Sequence, residues 1–346
     1  MSARAALTPQ MLQYDDFDDR SQTRWLPYLM YFHRADYRSD VITTDRLGFR
    51  PSQGPQGPDG AGHAGQASAG ARLPDGSVRL LVGSSSAFGI GVTADDQTMA
   101  TLLWSRYAPS KPWLNFAGRS FNSTQEAMLF LLFRHLLPPI DEIVFFSGLN
   151  DLALSRLPAE QRGEHGAFFN CGEYFNAMET LRAAHRKPQG RLGRRLRAGG
   201  GTASPTEPEV RPLPERVSGA VELTARNLDS WRLLAPDARI SYVLQPLATW
   251  IRDDPAPEER QLFGELDEIS NFWQLYGDIA TRETGRTYAA QLREACEKRD
   301  IRFVDISPAL AETVSPTDWM FVDRAHFTDL GSDIVTRVLA EQLELS

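Results

Sequence analysis

Apolar residues in this chain fall in short runs separated by longer amphipathic stretches. "VRLLV" at 78–82, "WLNF" at 113–116, "EIVFFS" at 142–147, "ISYVL" at 240–244 and "IRFVDI" at 301–306 each have the length and β-branched or aromatic content of a buried strand. Between and after them, helical spacing predicts helices over Thr93 to Tyr107 and Thr124 to Leu137, and a terminal amphipathic helix over "FTDLGSDIVTRVLAEQLE". Strands alternating with helices predict a parallel sheet covered by helices, an α/β fold whose ligands gather at the strand C-terminal ends.

Two stretches interrupt the pattern. Residues 51–76 are rich in Gly and Pro with almost nothing to bury, and read as a flexible linker. Residues 1–50 before them carry "RWLPYLMYFHRADY" and "VITTDRLGFR", enough apolar material for an N-terminal extension that packs on a main domain at 77–346. A second Gly/Pro-rich insertion, at about 186–218, holds the basic cluster Arg191, Arg194, Arg195 and Arg197. With no apolar face beside it, that cluster reads as a solvated loop rather than an anion or membrane site.

Composition narrows the partners. The 346 residues carry 37 Lys and Arg against 45 Asp and Glu, a net charge of -8 that disfavours a general nucleic-acid binder. The longest apolar runs, such as "AMLFLLF", fall well short of the roughly 20 residues that span a bilayer, so no integral membrane association is expected. The first residues lack the apolar core of a signal peptide, and a cytoplasmic location is the expectation. Cys171 and Cys296 stand alone, without the spacing of a zinc site, and read as ordinary thiols.

The chemistry is concentrated at strand ends. "VRLLVGSSSAFG" ends its strand in a glycine and three serines, "WLNFAGRSFNS" ends at Gly118, and "EIVFFSGLND" ends at Asn150. Ahead of the last helix, "VDRAHFTDLG" sets Asp323 three residues before His326. A parallel sheet would bring a hydroxyl, an acid, an imidazole and amide donors to one edge.

In that order, "GSSSAFG", "AGRSFNS", "GLND" and "DRAH" resemble the blocks of the SGNH, or GDSL-like, hydrolases over most of residues 77–346. "VITTDRLGFRPS" is similar to a lead-in found in some members, and "VLQP" to a later strand end. The resemblance implies a three-layer α/β/α, flavodoxin-like fold. It also implies Ser85 as nucleophile, His326 as general base and Asp323 as its orienting acid. The backbone N–H groups of Ser85 and Gly118, with the Asn150 amide, would form an oxyanion hole. The glycine position could instead fall on Ala117 or Ser120.

One departure stands out: Ser84 occupies the position where the family has aspartate, and a hydroxyl cannot supply the same charge. Ser84 and Ser86 read as supports of the turn, and Asp151 as a loop stabiliser. An imidazole can take a proton from a serine near neutral pH and return it to a leaving group.

The resulting expectation is a serine ester hydrolase acting on an acylated small molecule or carbohydrate, needing no metal or organic cofactor. Acyl transfer to a specific acceptor and thioester hydrolysis use the same residues, and a weakly active binding module is the alternative outside catalysis. Trp104, Trp113, Phe116, Phe121 and Trp319 are pocket candidates, although aromatics in such a domain more often fill the core. Nothing in the sequence sets an oligomeric state.

Overall fold

The computed structural model describes residues 2–19, 24–55, 65–71, 73–185, 210–270 and 272–346. Two short antiparallel pairs open the chain: β1 (Arg24–Leu26) with β2 (Met30–Phe32), and β3 (Ser52–Gln53) with β4 (Gln66–Ala67). The central sheet follows, built from β5 (Val78–Gly83), β6 (Trp113–Ala117), β7 (Ile140–Ser147), β8 (Arg239–Leu244) and β9 (Arg302–Asp305). Its strands are all parallel, in the order β6-β5-β7-β8-β9. Counted from β5 this is 2-1-3-4-5, the flavodoxin-like order, in which the chain reverses direction across the sheet beside β5.

Every residue of β5 and β6 is buried, which is why these strands read as continuous apolar runs rather than alternating ones. Helices Ser123–Phe133, Leu213–Leu234 and Arg282–Glu297 pack together on one face, and Asp329–Leu343 with the helical turns over Met99–Tyr107 covers the other. The α/β class and the five predicted strands are therefore as expected. The helix expected from Thr93 begins at Met99, because the Thr98 hydroxyl caps it by accepting the Thr101 N–H. The helix expected from Thr124 begins at Ser123 behind an Asn122–Gln125 capping box.

Two expectations about the interruptions change. The insertion read over 186–218 ends earlier, because Pro212 and Leu213 open a 22-residue helix whose Val217, Ala220, Val221, Ala225, Leu228 and Trp231 are buried. The basic cluster lies outside the described residues. The stretch read as a free linker is tied down at both ends, by the β3–β4 pair and by Asp45, whose carboxylate accepts from Ser68 Oγ and the Gly70 N–H, each at 2.7 Å. Small residues there can be buried because their polar groups are satisfied by hydrogen bonds rather than by apolar bulk.

The N-terminal segment packs on the main domain. Arg50 is fully buried, with Nε 2.7 Å from Asp95 and its terminal nitrogens donating to the carbonyls of Gly89 at 2.8 Å and Val41 at 2.7 Å. The Tyr14 hydroxyl donates to the same Gly89 carbonyl. Among the described residues no helix is long and apolar enough to cross a membrane.

Candidate active site

β5 ends in Gly83, where a side chain would place its Cβ 2.2 Å from the Phe146 carbonyl oxygen, so only glycine lets the turn pass that close to β7. Ser84 then stands at the N-cap position of a single helical turn, Ser85–Phe88, without a side-chain capping bond. Being first in that turn, the Ser85 N–H has no intrahelical acceptor and remains a directed donor. Gly89 closes the turn in a left-handed conformation at φ 95°, its carbonyl held by Arg50 and Tyr14. The N-terminal segment thus fixes the far end of the turn that carries Ser85.

His326 comes from the loop before the last helix. Its Nε2 lies 2.7 Å from Ser85 Oγ, and its Nδ1 lies 2.7 Å from Asp323 Oδ2. An ionised carboxylate only accepts, so Nδ1 carries the proton and Nε2 is left to accept from the Ser85 hydroxyl. The other Asp323 oxygen accepts the N–H groups of Ala325 and His326, each at 2.8 Å. Burial raises the Asp323 carboxyl, but the neighbouring His326 charge and hydrogen bond, with those two N–H donors, outweigh it and leave the acid below its ordinary range. Asp323 is therefore held as a carboxylate facing the imidazole.

This loop is anchored on its outer side. Arg324 pairs with Asp267 at 2.7 Å, sits over the rings of Phe263, Phe272 and Trp273, and its carbonyl accepts from the Ala248 N–H.

The donor side brings one correction. The Gly118 N–H donates to the Gly83 carbonyl at 3.0 Å, continuing the β6–β5 ladder, and is spent. Gly118 is glycine for space: a Cβ would lie 2.0 Å from Cδ2 of the Phe121 ring. The alternative Ser120 instead lines the cleft beside Ser85, with positive φ of 60°. Its carbonyl accepts from the Tyr31 hydroxyl, and its N–H has no acceptor among the described residues.

Positive φ is uncommon for a serine, and here neighbours hold it. The buried His33 donates from Nδ1 to the Gly48 carbonyl at 2.9 Å and accepts the Arg119 N–H on Nε2 at 2.9 Å. Burial drives His33 down to about 3, so this imidazole is neutral and its tautomer is fixed by the two bonds. Arg119 also pairs with Asp18.

Asn150 stands in the same cleft and donates one amide N–H to the Phe121 carbonyl at 2.8 Å, leaving its second N–H free of that bond. Beneath it Asp151 accepts from the Ser123 N–H and hydroxyl, the loop-stabilising place expected for it. Burial raises Asp151 to about 7, and nearby Glu126, which accepts from Ser147 Oγ at 2.5 Å, to about 8.

The chain resembles the SGNH hydrolases. No protein-family model matches the sequence, and no curated protein does. Solved structures of lipases and esterases are similar at low identity. A Bacteroides ovatus chain assigned as a GDSL-like lipase is 14% identical with a TM-score of 0.41, over 80% of this chain and 56% of its own. The extracellular lipase of Streptomyces rimosus is 12% identical with a TM-score of 0.40, over 77% and 100%. Est24, a carbohydrate acetylesterase from Sinorhizobium meliloti, is 11% identical with a TM-score of 0.40, over 78% and 99%. What the site can do rests on its own geometry.

The cleft has a volume of about 260 Å³ and an apolar wall that includes Leu149, Ala153, Leu247, Tyr276 and Ile279. Trp104, Trp113, Phe116 and Phe121 are buried in the core, Trp319 is partly buried, and none of the five lines this cleft. Cys171 and Cys296 are buried free thiols.

Sequence reasoning missed Gln245, His33 and Arg50. Gln245 carried a signal, a polar residue ending the apolar run of β8 at the sheet edge where ligands collect. The other two lie far from Ser85 in sequence; Arg50 falls within the lead-in "VITTDRLGFRPS", and nothing local marks His33.

Proposed function

We propose that this chain is a serine ester hydrolase working through an acyl-enzyme. The observation that carries the reading is the unbroken line from Ser85 Oγ to His326 Nε2 and from Nδ1 to Asp323, with both steps 2.7 Å. Ser85 Oγ attacks the ester carbonyl carbon as His326 Nε2 takes its proton. The carbonyl oxygen becomes an oxyanion facing the N–H groups of Ser85 and Ser120 and the Asn150 amide. Collapse breaks the bond to the alcohol oxygen, which leaves with the proton from His326. Water then attacks the acyl-enzyme by the same route in reverse, giving a carboxylic acid and free Ser85. The apolar wall favours the acyl chain as the group seated in the cleft.

Acyl transfer is a second reading, favoured by one feature. Sharing Ser120 and Phe169 with the cleft, a neighbouring cavity of about 480 Å³ is lined by Trp25, Tyr31, Tyr174 and Arg119 and has room for a sizeable alcohol. Such an alcohol would be the leaving group of hydrolysis or the acceptor of transfer.

The test is a fluorophosphonate, followed by intact mass and localisation of the adduct. One adduct on Ser85 of the wild type, absent from Ser85→Ala, is the expected outcome. A folded wild type left unmodified beside a labelled control enzyme would overturn the reading. Product analysis with candidate alcohols then separates hydrolysis from transfer.

A further inference from the structure

The aspartate missing at position 84 leaves a question that the buried hydrogen bonds answer. Ser84 Oγ lies 2.9 Å from Gln245 Oε1, Gln245 Nε2 lies 2.9 Å from Ser86 Oγ, and Ser86 Oγ lies 2.8 Å from the Ala325 carbonyl oxygen. All three side chains are at most 2% exposed, so water does not substitute for a lost partner. Gln245 is itself fixed, its N–H donating to the Ser147 carbonyl at the end of β7.

The last acceptor sets the polarity of the whole chain. A carbonyl oxygen cannot donate, so the Ser86 hydroxyl must give its proton to Ala325. Ser86 must then receive the Gln245 N–H, which turns the Gln245 carbonyl oxygen towards Ser84. Residue 84 has to donate in turn. An ionised aspartate there could not: it would draw the Gln245 amide N–H to itself, turn the amide oxygen towards Ser86, and pull the Ser86 proton away from Ala325.

We propose that Ser84, Gln245 and Ser86 form a one-way hydrogen-bond relay that ties the Ala325 carbonyl, and with it the adjacent His326, to the nucleophile turn, so that position 84 requires a donor. On this account Ser84 is the working partner of Gln245. The relay faces the loop from the inside, opposite the Arg324 anchor, and together they set the 2.7 Å distance between His326 and Ser85. Gln245, Ser84 and Ser86 are positioning residues.

The inference rests on the ester-hydrolase reading and is tested so that the two can fail separately. Ser84→Asn, Ser84→Ala and Ser84→Asp are compared with wild type for the rate of fluorophosphonate modification, its half-saturation concentration, and melting temperature. Asn has the size of Asp but keeps a donor. Misplacing a reacting group by about 1 Å can cost about 100-fold in rate, so Ser84→Asp is expected to slow modification about 100-fold at pH 8 and Ser84→Ala about 10-fold. Ser84→Asn should stay within about 3-fold, with half-saturation unchanged throughout, since positioning acts on the reaction step.

The ratio of Ser84→Asp to wild type should rise as pH falls, because the protonated carboxyl regains a donor. A Ser84→Asp protein as fast as wild type, or a Ser84→Asn protein as slow as Ser84→Ala, would overturn the relay. If Ser84→Asp does not fold, the Asn and Ala pair decides. If wild type is not modified, the hydrolase reading fails and the relay is read from the low-field proton resonance of His326 Nδ1–H. Retention in Ser84→Asn with loss in Ser84→Ala would support the relay, and retention in both would overturn it.

Discussion

The acid–base half of the site and its donor half are supported from different parts of the chain. Ser85 opens a helical turn and Asp323 and His326 stand on the loop before the last helix, and they are braced from within the α/β domain by Gln245 at the end of β8 and by the Arg324 anchor against Asp267. The Gly118–Phe121 loop, which presents the Ser120 N–H, is held from outside by His33 and Asp18 of the N-terminal segment and by the Tyr31 hydroxyl. The first half touches residues 1–50 only behind the nucleophile turn, where Arg50 and Tyr14 hold the Gly89 carbonyl and Phe17 and His33 pack on Phe88. Without those residues the second half would lose its contacts to His33, Asp18 and Tyr31 and keep the Gly118–Gly83 and Asn150–Phe121 bonds. The extension is thus part of the site's frame rather than an appendage.

Four measurements sharpen or break that contrast. The largest effect is expected at the acid–base pair. Asp323→Asn leaves the shape but not the charge that fixes the Nδ1 proton, and should lower kcat by about 10⁴-fold, with His326→Ala comparable. A loss below about 10-fold would mean that this half does not act as a triad.

Next, Asn150→Ala removes a donor from the oxyanion and should cost about 10² to 10³ in kcat, with little change in KM. An unchanged kcat would place the oxyanion elsewhere.

The third probes the support from outside. His33→Ala leaves the Arg119 N–H without its acceptor inside the protein and should lower stability by about 1–3 kcal/mol, measured by urea unfolding. Because the Ser120 loop then loosens, kcat should fall while the Ser85 and His326 contact persists in the His326 proton resonance. Loss of that resonance together with kcat would show that the halves are not separately held.

The smallest effect is on the pH dependence of melting temperature. His33 is held in its neutral form, well below its ordinary 6.5, so its contribution is present above about 6.5 and is lost as pH falls towards 3. Glu126 has the opposite sign. Raised from 4.5 to about 8, its neutral form contributes fully below 4.5, and the contribution is lost as pH rises through 8. Glu126→Gln should reduce the loss between 4.5 and 8, leaving the share of Asp151, raised to about 7, and the loss from His33 towards 3 in place. An unchanged loss between 4.5 and 8 would mean that Glu126 does not titrate there.

Much of the fold was legible because buried parallel strands have a composition unlike anything around them. The five runs were found in order, whereas helices Leu213–Leu234 and Pro257–Ile269 were not singled out, since their apolar faces are diluted by charged residues. Ser85, Asp323, His326 and Asn150 were legible as strand-end and pre-helix residues in the order of the SGNH blocks, and the structure brings all four into one neighbourhood. Gly118 was not resolved correctly: a glycine chosen to make room for the Phe121 ring looks the same in sequence as one chosen to bare an N–H.

The sequence by itself determined the α/β class and the strands, because hydrophobic periodicity is a local property, while Ser85, His326 and Asp323 were singled out by resemblance to the SGNH blocks. Only the tertiary structure decided that Ser120 rather than Gly118 faces the cleft, that His33 braces it from far upstream, and that Ser84 donates to Gln245. Those outcomes depend on where each N–H and hydroxyl points once distant segments are packed. A hydrogen bond is made or lost over less than an ångström, a distance that residue types and spacings do not encode.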